Sequence, residues 1–357
     1  IDSTGIQHLV WSKWDELIYA NSSDNFVNKK VISNNMQIYA KPTMAIDSNN
    51  DVHIGFQAQQ GSWSTYYVNS INWNVIGLGT VGYQDDISIG IDRNNKVYIA
   101  SQDVYPSYDK DIIIASSTDY QNFNLQPIHK IFEQFNPSLA IDSNNNVGLV
   151  YWDWSDGVVD GVGQYKTRFR SSLDNFVSEQ TVSTAPQSYG ADIKIDSLNN
   201  VWISYKDTRY SEEGFDKGDV FLKNLTTEEE IRITPTSKNW WQDRPTSLAI
   251  DNLGNKHLGW SEADFENWVE TIVYANSDNL YNLEIVDMTD NWDYFCEGGY
   301  VKLDTFNNLP NLSVNFGPLI NYSQIPEPSI ISLLVGAGLT GLGVYALSRR
   351  KRDKNLD

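Results

Sequence analysis

One seven-residue phrase returns along this chain of 357 residues, and nothing else limits its possible folds as much. It reads Ile46-Asp47-Ser48-Asn49-Asn50-Asp51-Val52, then Ile91-Asp92-Arg93-Asn94-Asn95-Lys96-Val97, Ile141-Asp142-Ser143-Asn144-Asn145-Asn146-Val147 and Ile195-Asp196-Ser197-Leu198-Asn199-Asn200-Val201. Looser copies begin at Ile1-Asp2, Ile250-Asp251 and Leu303-Asp304, so the spacing runs from 45 to 55 residues. Repeats of this length are single supersecondary units that bury their faces only against neighbours, which means a propeller or a similar array.

Each unit reads as four short strands. An alternating segment such as 42–46 ends at the phrase, where Asp and Asn suit a tight hairpin with left-handed backbone. A second strand follows, as at 52–56, 147–152 and 201–205. A third comes after a loop of variable length, as at 112–115 and 272–275, and a fourth closes the unit, as at 30–32 and 179–182. Four antiparallel strands at this period make a propeller blade. No helical period appears before residue 326.

A second recurrence lies between third and fourth strands: Asn21-Ser22-Ser23-Asp24-Asn25-Phe26, Ser116-Ser117-Thr118-Asp119, Ser171-Ser172-Leu173-Asp174-Asn175-Phe176 and Asn276-Ser277-Asp278. These segments resemble worn Asp-boxes of the sialidase-like (BNR-repeat) propellers, with the Gly absent and Phe in place of Trp. The resemblance covers residues 1–323 and implies an Asp that caps its own turn and an aromatic packed under the blade. The expected fold is therefore all-β, a β-propeller of four-stranded blades with units starting near 1, 46, 91, 141, 195, 250 and 303. Seven copies favour seven blades; six remain if the two partial terminal units combine.

The segment 324–357 is different in kind. Pro326-Glu327-Pro328 precedes an uncharged apolar run at 330–347, and Arg349-Arg350-Lys351-Arg352 follows it. The run is long enough to cross a hydrocarbon layer of roughly 30 Å as one C-terminal transmembrane helix. The basic stop would keep its end cytoplasmic and the repeats outside. The tail resembles the PEP-CTERM sorting signal of Gram-negative bacteria. That resemblance implies recognition by a membrane-embedded exosortase, initial anchoring in the inner membrane and delivery to the cell surface or outer envelope, in the setting of exopolysaccharide and biofilm. An ordinary C-terminal anchor is the plainer alternative. An exported chain needs an export signal, and the chain starts at Ile1 without one, so a processed or truncated amino terminus is expected.

The net charge of −20 repels nucleic acid and anionic lipid and favours cations or neutral partners. Cys296 is the single cysteine, so no internal disulfide can form, and it reads as a core residue rather than a catalyst.

Antiparallel alternation puts the Ile-Asp turns and the Asp-box-like turns on one face. The loops between second and third strands, and those between blades, lie on the other. That second face holds the irregular length, at 153–163, 207–218, 235–245, 262–270 and 289–299, and functional sites gather on such loops. The candidate ligand-binding residues there are Asp153, Trp154, Asp207, Arg209, Trp240, Trp241, Arg244, Glu262, Trp268 and Trp292. Exposed aromatic faces stack on sugar rings, while carboxylates accept hydroxyl hydrogen bonds or hold Ca²⁺. The bland reading of any one of them is interblade packing or a solvated charge.

A sialidase-type site needs three arginines, a Tyr-Glu pair and an acidic Asp. Outside the tail only Arg209 and Arg244, with Arg168 or Arg170 at a stretch, could share a site, so no catalytic residue is assigned. His8, His53 and His257 occupy one repeat position on different blades and read as packing residues, not metal ligands. No cofactor is assigned; Ca²⁺ stays open, although the Asp-x-Asn-Asn turns lack a closing Glu ligand. The expectation is a surface binding module for polysaccharide or matrix components. A glycoside-acting enzyme on the same face and a purely structural surface protein are the alternatives.

Overall fold

The computed structural model describes residues 1–289 and 300–336, apart from breaks at 14, 34, 39–41, 61, 80–81, 105–109, 129–132, 155–157, 160–161, 186, 211–217, 235–245, 265–268, 307–308, 317–318 and 325–331. Seven antiparallel sheets follow one another along the chain, with a small ribbon in the fourth unit. The second sheet shows the pattern: Thr43–Ile46, Val52–Gln60, Ser62–Asn69 and Ile76–Gly77 pair in chain order. The first sheet has three strands, His8–Lys13, Glu16–Asn21 and Lys30–Ser33, and lacks a strand before its turn. The chain is an all-β propeller in which each sheet is one blade.

Blades pack face to face through apolar clusters that each draw on two neighbours. Leu17 and Tyr19 meet Ile54 and Phe56; Tyr67 and Leu78 meet Ile89 and Ile99; Ile112 and Ile114 meet Leu149 and Tyr151. Val150 and Val182 then meet Ile193 and Ile203, and Trp202 and Val220 meet Leu258 and Trp260. The strand period of two explains this, since alternate side chains enter opposite interblade layers and both faces of a blade are apolar. First strands of successive blades touch, which places them innermost.

The recurrent Asp works as a turn cap. In six copies its Oδ1 accepts two backbone N–H groups of its own turn, as Asp142 does from Asn144 at 2.8 Å and Asn146 at 2.8 Å. The fifth position is left-handed throughout: Asn50, Asn95, Asn145 and Asn199 have φ from 61° to 68°, and Gly254 has 88°. The Asp-box-like turns behave as the resemblance implied, with Asp119 accepting from Gln121 and Asn122, Asp174 from Ser178, and Phe176 buried.

One expectation differs from the structure and another is not shown by it. Leu303 and Asp304 lie inside the strand Tyr300–Phe306, which pairs antiparallel with Leu309–Phe316, so this loosest copy is no turn. Chain-local resemblance of two residues was too little to set a hairpin register. The transmembrane helix expected at 330–347 is not shown: Ser332–Gly336 pairs as the fourth strand of the last sheet, and 337–347 lie outside the described residues. Among the described residues no helix is long and apolar enough to cross a membrane. The sorting residues Pro326, Glu327, Pro328, Arg349, Arg350, Lys351 and Arg352 also lie outside them.

Candidate ligand site on the loop face

The fourth blade supplies the clearest surface on the loop face. Its second strand, Val147–Asp153, ends in Trp152-Asp153 and runs into Trp154. Residues two apart point the same way, so both indoles share one side. Trp152 stacks on Phe135, with centroids 4.2 Å apart and planes 18° apart. Tyr165 meets Trp152 edge-on at 5.1 Å and Trp154 at 5.8 Å. Trp154 remains 38% exposed, while Trp152 is 9% exposed. The four rings form a platform that is buried at Trp152 and open at Trp154.

A bulge aims one of these rings. The innermost strand Gln134–Ile141 shifts register against its partner between Phe135 and Ser138, and Asn136 sits at φ 48°. The fifth blade repeats the device between Tyr189 and Asp192, with Gly190 at φ 62°, and the third between Gly82 and Ile87. Such bulges bend a strand and redirect a side chain. Here they lie at the loop-face end of three consecutive inner strands.

The indole N–H of Trp152 is buried and has no hydrogen-bond partner. A buried donor left unmet costs about 1–3 kcal/mol.

The acids behind the platform are engaged. Asp153 is fully buried, and its Oδ1 accepts from Arg168 Nε at 3.3 Å. Arg168 also faces Glu179 at 3.6 Å, and Arg170 donates to Glu179 at 3.2 Å and to the Tyr151 hydroxyl at 2.9 Å. The fifth blade rebuilds this network. Asp207 is fully buried and accepts from Ser183 Oγ at 2.8 Å and Arg209 Nε at 2.7 Å. Arg209 also binds Glu230 and the Tyr205 hydroxyl, and its guanidinium lies 4.4 Å over the Phe221 ring.

Thus Asp–Arg–Glu–Tyr recurs in both blades, with two arginines from the third strand in one and a single arginine from the loop in the other. Burial pushes the Tyr151 and Tyr205 phenols up, and the neighbouring Glu179 and Glu230 push further the same way. Burial also opposes ionisation of Glu230, but hydrogen bonds from Arg209 and Tyr205 outweigh it and hold its carboxyl below the usual range. The Tyr-Glu pairs therefore exist, yet each is internal to its blade. Arg168, Arg170, Arg209 and Arg232 close on acids of their own blades and form no shared open clamp.

Among the other candidates, Glu262 lies in Lys256–Asp264 opposite Thr271. Trp240, Trp241, Arg244, Trp268 and Trp292 lie outside the described residues. Phe135, Trp152 and Tyr165 were not singled out from sequence. The alternation Trp152-Asp153-Trp154 was the available signal for Trp152; nothing local marked the other two rings.

The histidines are repeat-equivalent ties, as expected. His53 Nδ1 and the Tyr67 hydroxyl are 2.6 Å apart, and His53 Nε2 faces Asp47 at 3.5 Å. His8 joins Tyr19 and Asp2 in the same way, and His257 joins Tyr274 and Asp251. Gly148 takes this slot in the fourth blade because a Cβ there would meet Ile193 at 3.0 Å and Phe169 at 3.1 Å. Among the described residues no group of three or more His, Cys, Asp or Glu could hold a metal ion.

Solved structures show the same fold at low identity. A polysaccharide lyase of family PL25, an ulvan lyase solved with -[GlcA(1-4)Rha3S]-, aligns with a TM-score of 0.58 at 10% identity, over 92% of this chain and 91% of that one. An α-L-arabinanase from Penicillium chrysogenum, complexed with arabinobiose, aligns with a TM-score of 0.52 at 11% identity, over 84% and 92%. A protein of unknown function from Dyadobacter fermentans aligns with a TM-score of 0.53 at 8% identity, over 92% and 97%. No family model and no curated protein matches the chain.

Proposed function

We propose that the chain is an exported surface propeller that binds a polysaccharide on its loop face. The observation that carries this is the four-ring platform of Phe135, Trp152, Tyr165 and Trp154, open at Trp154. An exposed aromatic face suits a hydroxylated ring, which offers C–H faces for stacking. Two proteins of the same fold are a polysaccharide lyase and an α-L-arabinanase, which supports a glycan as the ligand class. The Pro-Glu-Pro tail with its basic stop supports sorting to the surface by an exosortase-like enzyme.

The same neighbours favour one second reading, an enzyme that cleaves the glycan it binds. Hydrolysis needs two carboxylates roughly 5 to 9.5 Å apart across a scissile bond. Asp153 and Asp207, both expected on this face, are buried and hydrogen-bonded, so the platform alone favours retention over cleavage.

The test is retention of oligosaccharides by the purified full chain, with mass spectrometry of bound and free fractions. Intact glycans should be retained, and Trp154→Ala should weaken retention by about tenfold or more, the scale of one lost stacking contact. Shortened or unsaturated products would move the reading to the enzyme. No retention by any glycan would sink both.

A further inference from the structure

We infer that the loop-face platform selects uncharged glycans and excludes chains bearing uronate, sialate or sulfate groups. This rests on the glycan-binding reading above and narrows its ligand class. Recognition of an anionic sugar needs a cation whose donors are free to turn toward it, usually an arginine fork.

Around the platform and the adjacent fifth blade, the described arginines and the buried Lys166 are already committed. Arg168 holds Asp153 and Glu179, Arg170 holds Glu179 and Tyr151, and Arg209 holds Asp207 and Glu230. Arg232 holds Asp219 at 2.6 Å, and Lys166 is buried with its Nζ on the Ala185 carbonyl. Diverting one of the four arginines to a ligand would strip a carboxylate of its partner. Breaking a buried pair is far costlier than never forming it.

The wider field points the same way, since a chain of net charge −20 repels anions before contact. An uncharged sugar meets none of these penalties. It needs only the exposed Trp154 ring to stack on. Both neighbouring structures with named glycans share the fold alone, so their ligands do not bear on charge preference here.

The experiment is calorimetric titration of the full chain in detergent with matched oligosaccharide pairs. Galacturonan, glucuronan and mannuronan fragments are each used native and after reduction of their carboxyl groups, which removes charge and keeps ring and linkage. At least one reduced fragment should bind about tenfold or more tighter than its native partner. That affinity should change by less than about twofold between about 50 and about 500 mM NaCl, because no ion pair is formed. Trp154→Ala should abolish it, and Trp154→Phe should restore part of it. A native uronate that binds as tightly as its reduced partner, or whose binding falls steeply with salt, overturns the charge selection and leaves glycan binding standing. If no native or reduced fragment binds, and the broader panel of the preceding test is also not retained, the glycan-binding reading itself fails.

Discussion

At His53, residues of two adjacent paired strands become one hydrogen-bonded line. Asn69 Nδ2 donates to the Tyr67 hydroxyl at 3.2 Å, which leaves the phenolic proton for His53 Nδ1. The imidazole is then neutral with its remaining N–H toward Asp47, a tautomer assigned by the network. Burial lowers the pKa of His8, His53 and His257, against the raising influence of Asp2, Asp47 and Asp251. The unfolded chain protonates these groups near the ordinary value of about 6.5, before the folded chain does. Stability should therefore be fully present above about pH 6.5 and fall as pH drops through that value, by up to about 1.4 kcal/mol per pH unit per histidine. Urea unfolding between pH 5 and 8 measures it (a range of about three units around the ordinary pKa). His53→Gln should flatten the slope; an unchanged slope would remove this histidine from the explanation.

The turns do more than reverse the chain. Asn50 Oδ1 accepts from Ser3 N at 3.0 Å, Asn95 from Ser48 N at 3.3 Å, Asn145 from Arg93 N at 3.0 Å and Asn199 from Ser143 N at 3.0 Å. Each left-handed Asn thus latches its blade to the one before. The series stops at Gly254, which keeps the left-handed backbone but has no side chain to reach Ser197. A Cβ at Gly254 would meet nothing within 4 Å. A side chain at φ 88° is strained, but Asn tolerates left-handed backbone and would gain the latch. Gly254→Asn should therefore stabilise the protein by at most about 0.5–1 kcal/mol, one hydrogen bond less that strain. Asn95→Gly should cost a similar amount. Melting temperatures of the two variants should move in opposite directions; a fall for Gly254→Asn would show that the fifth-to-sixth seam cannot accept the latch.

For the molecule as a whole, the inner strands form the stricter bond between blades. Asp192 accepts from Ser138 Oγ of the fourth blade at 2.6 Å and from Leu248 N of the sixth at 2.9 Å. One buried carboxylate therefore joins three blades, while Ser88 Oγ accepts from Leu139 N one seam earlier. Asp192→Ala leaves a buried amide and hydroxyl without this partner, at about 1–3 kcal/mol each. Hydrogen exchange should accelerate together in the inner strands of the fourth, fifth and sixth blades. Asn95→Gly should instead speed exchange only at the second-to-third seam. Confinement of the Asp192→Ala effect to the fifth blade would refute its bridging role.

Strand order and turn chemistry were legible because they are local. The Asp cap, the left-handed fifth position and the two-residue alternation all act within one unit, and the 45-to-55-residue spacing of their copies declared the architecture. The equivalence of His8, His53 and His257 was readable for the same reason. Charge commitment was not. Asp153 and Asp207 looked like open loop acids, yet both are buried against arginines 15 and two residues away. The platform needed Phe135 to arrive from a bulged inner strand and Tyr165 from beyond a loop. Long-range pairing decides which polar groups remain available, because an ion pair or a stacked ring depends on distances between strands that no local period encodes.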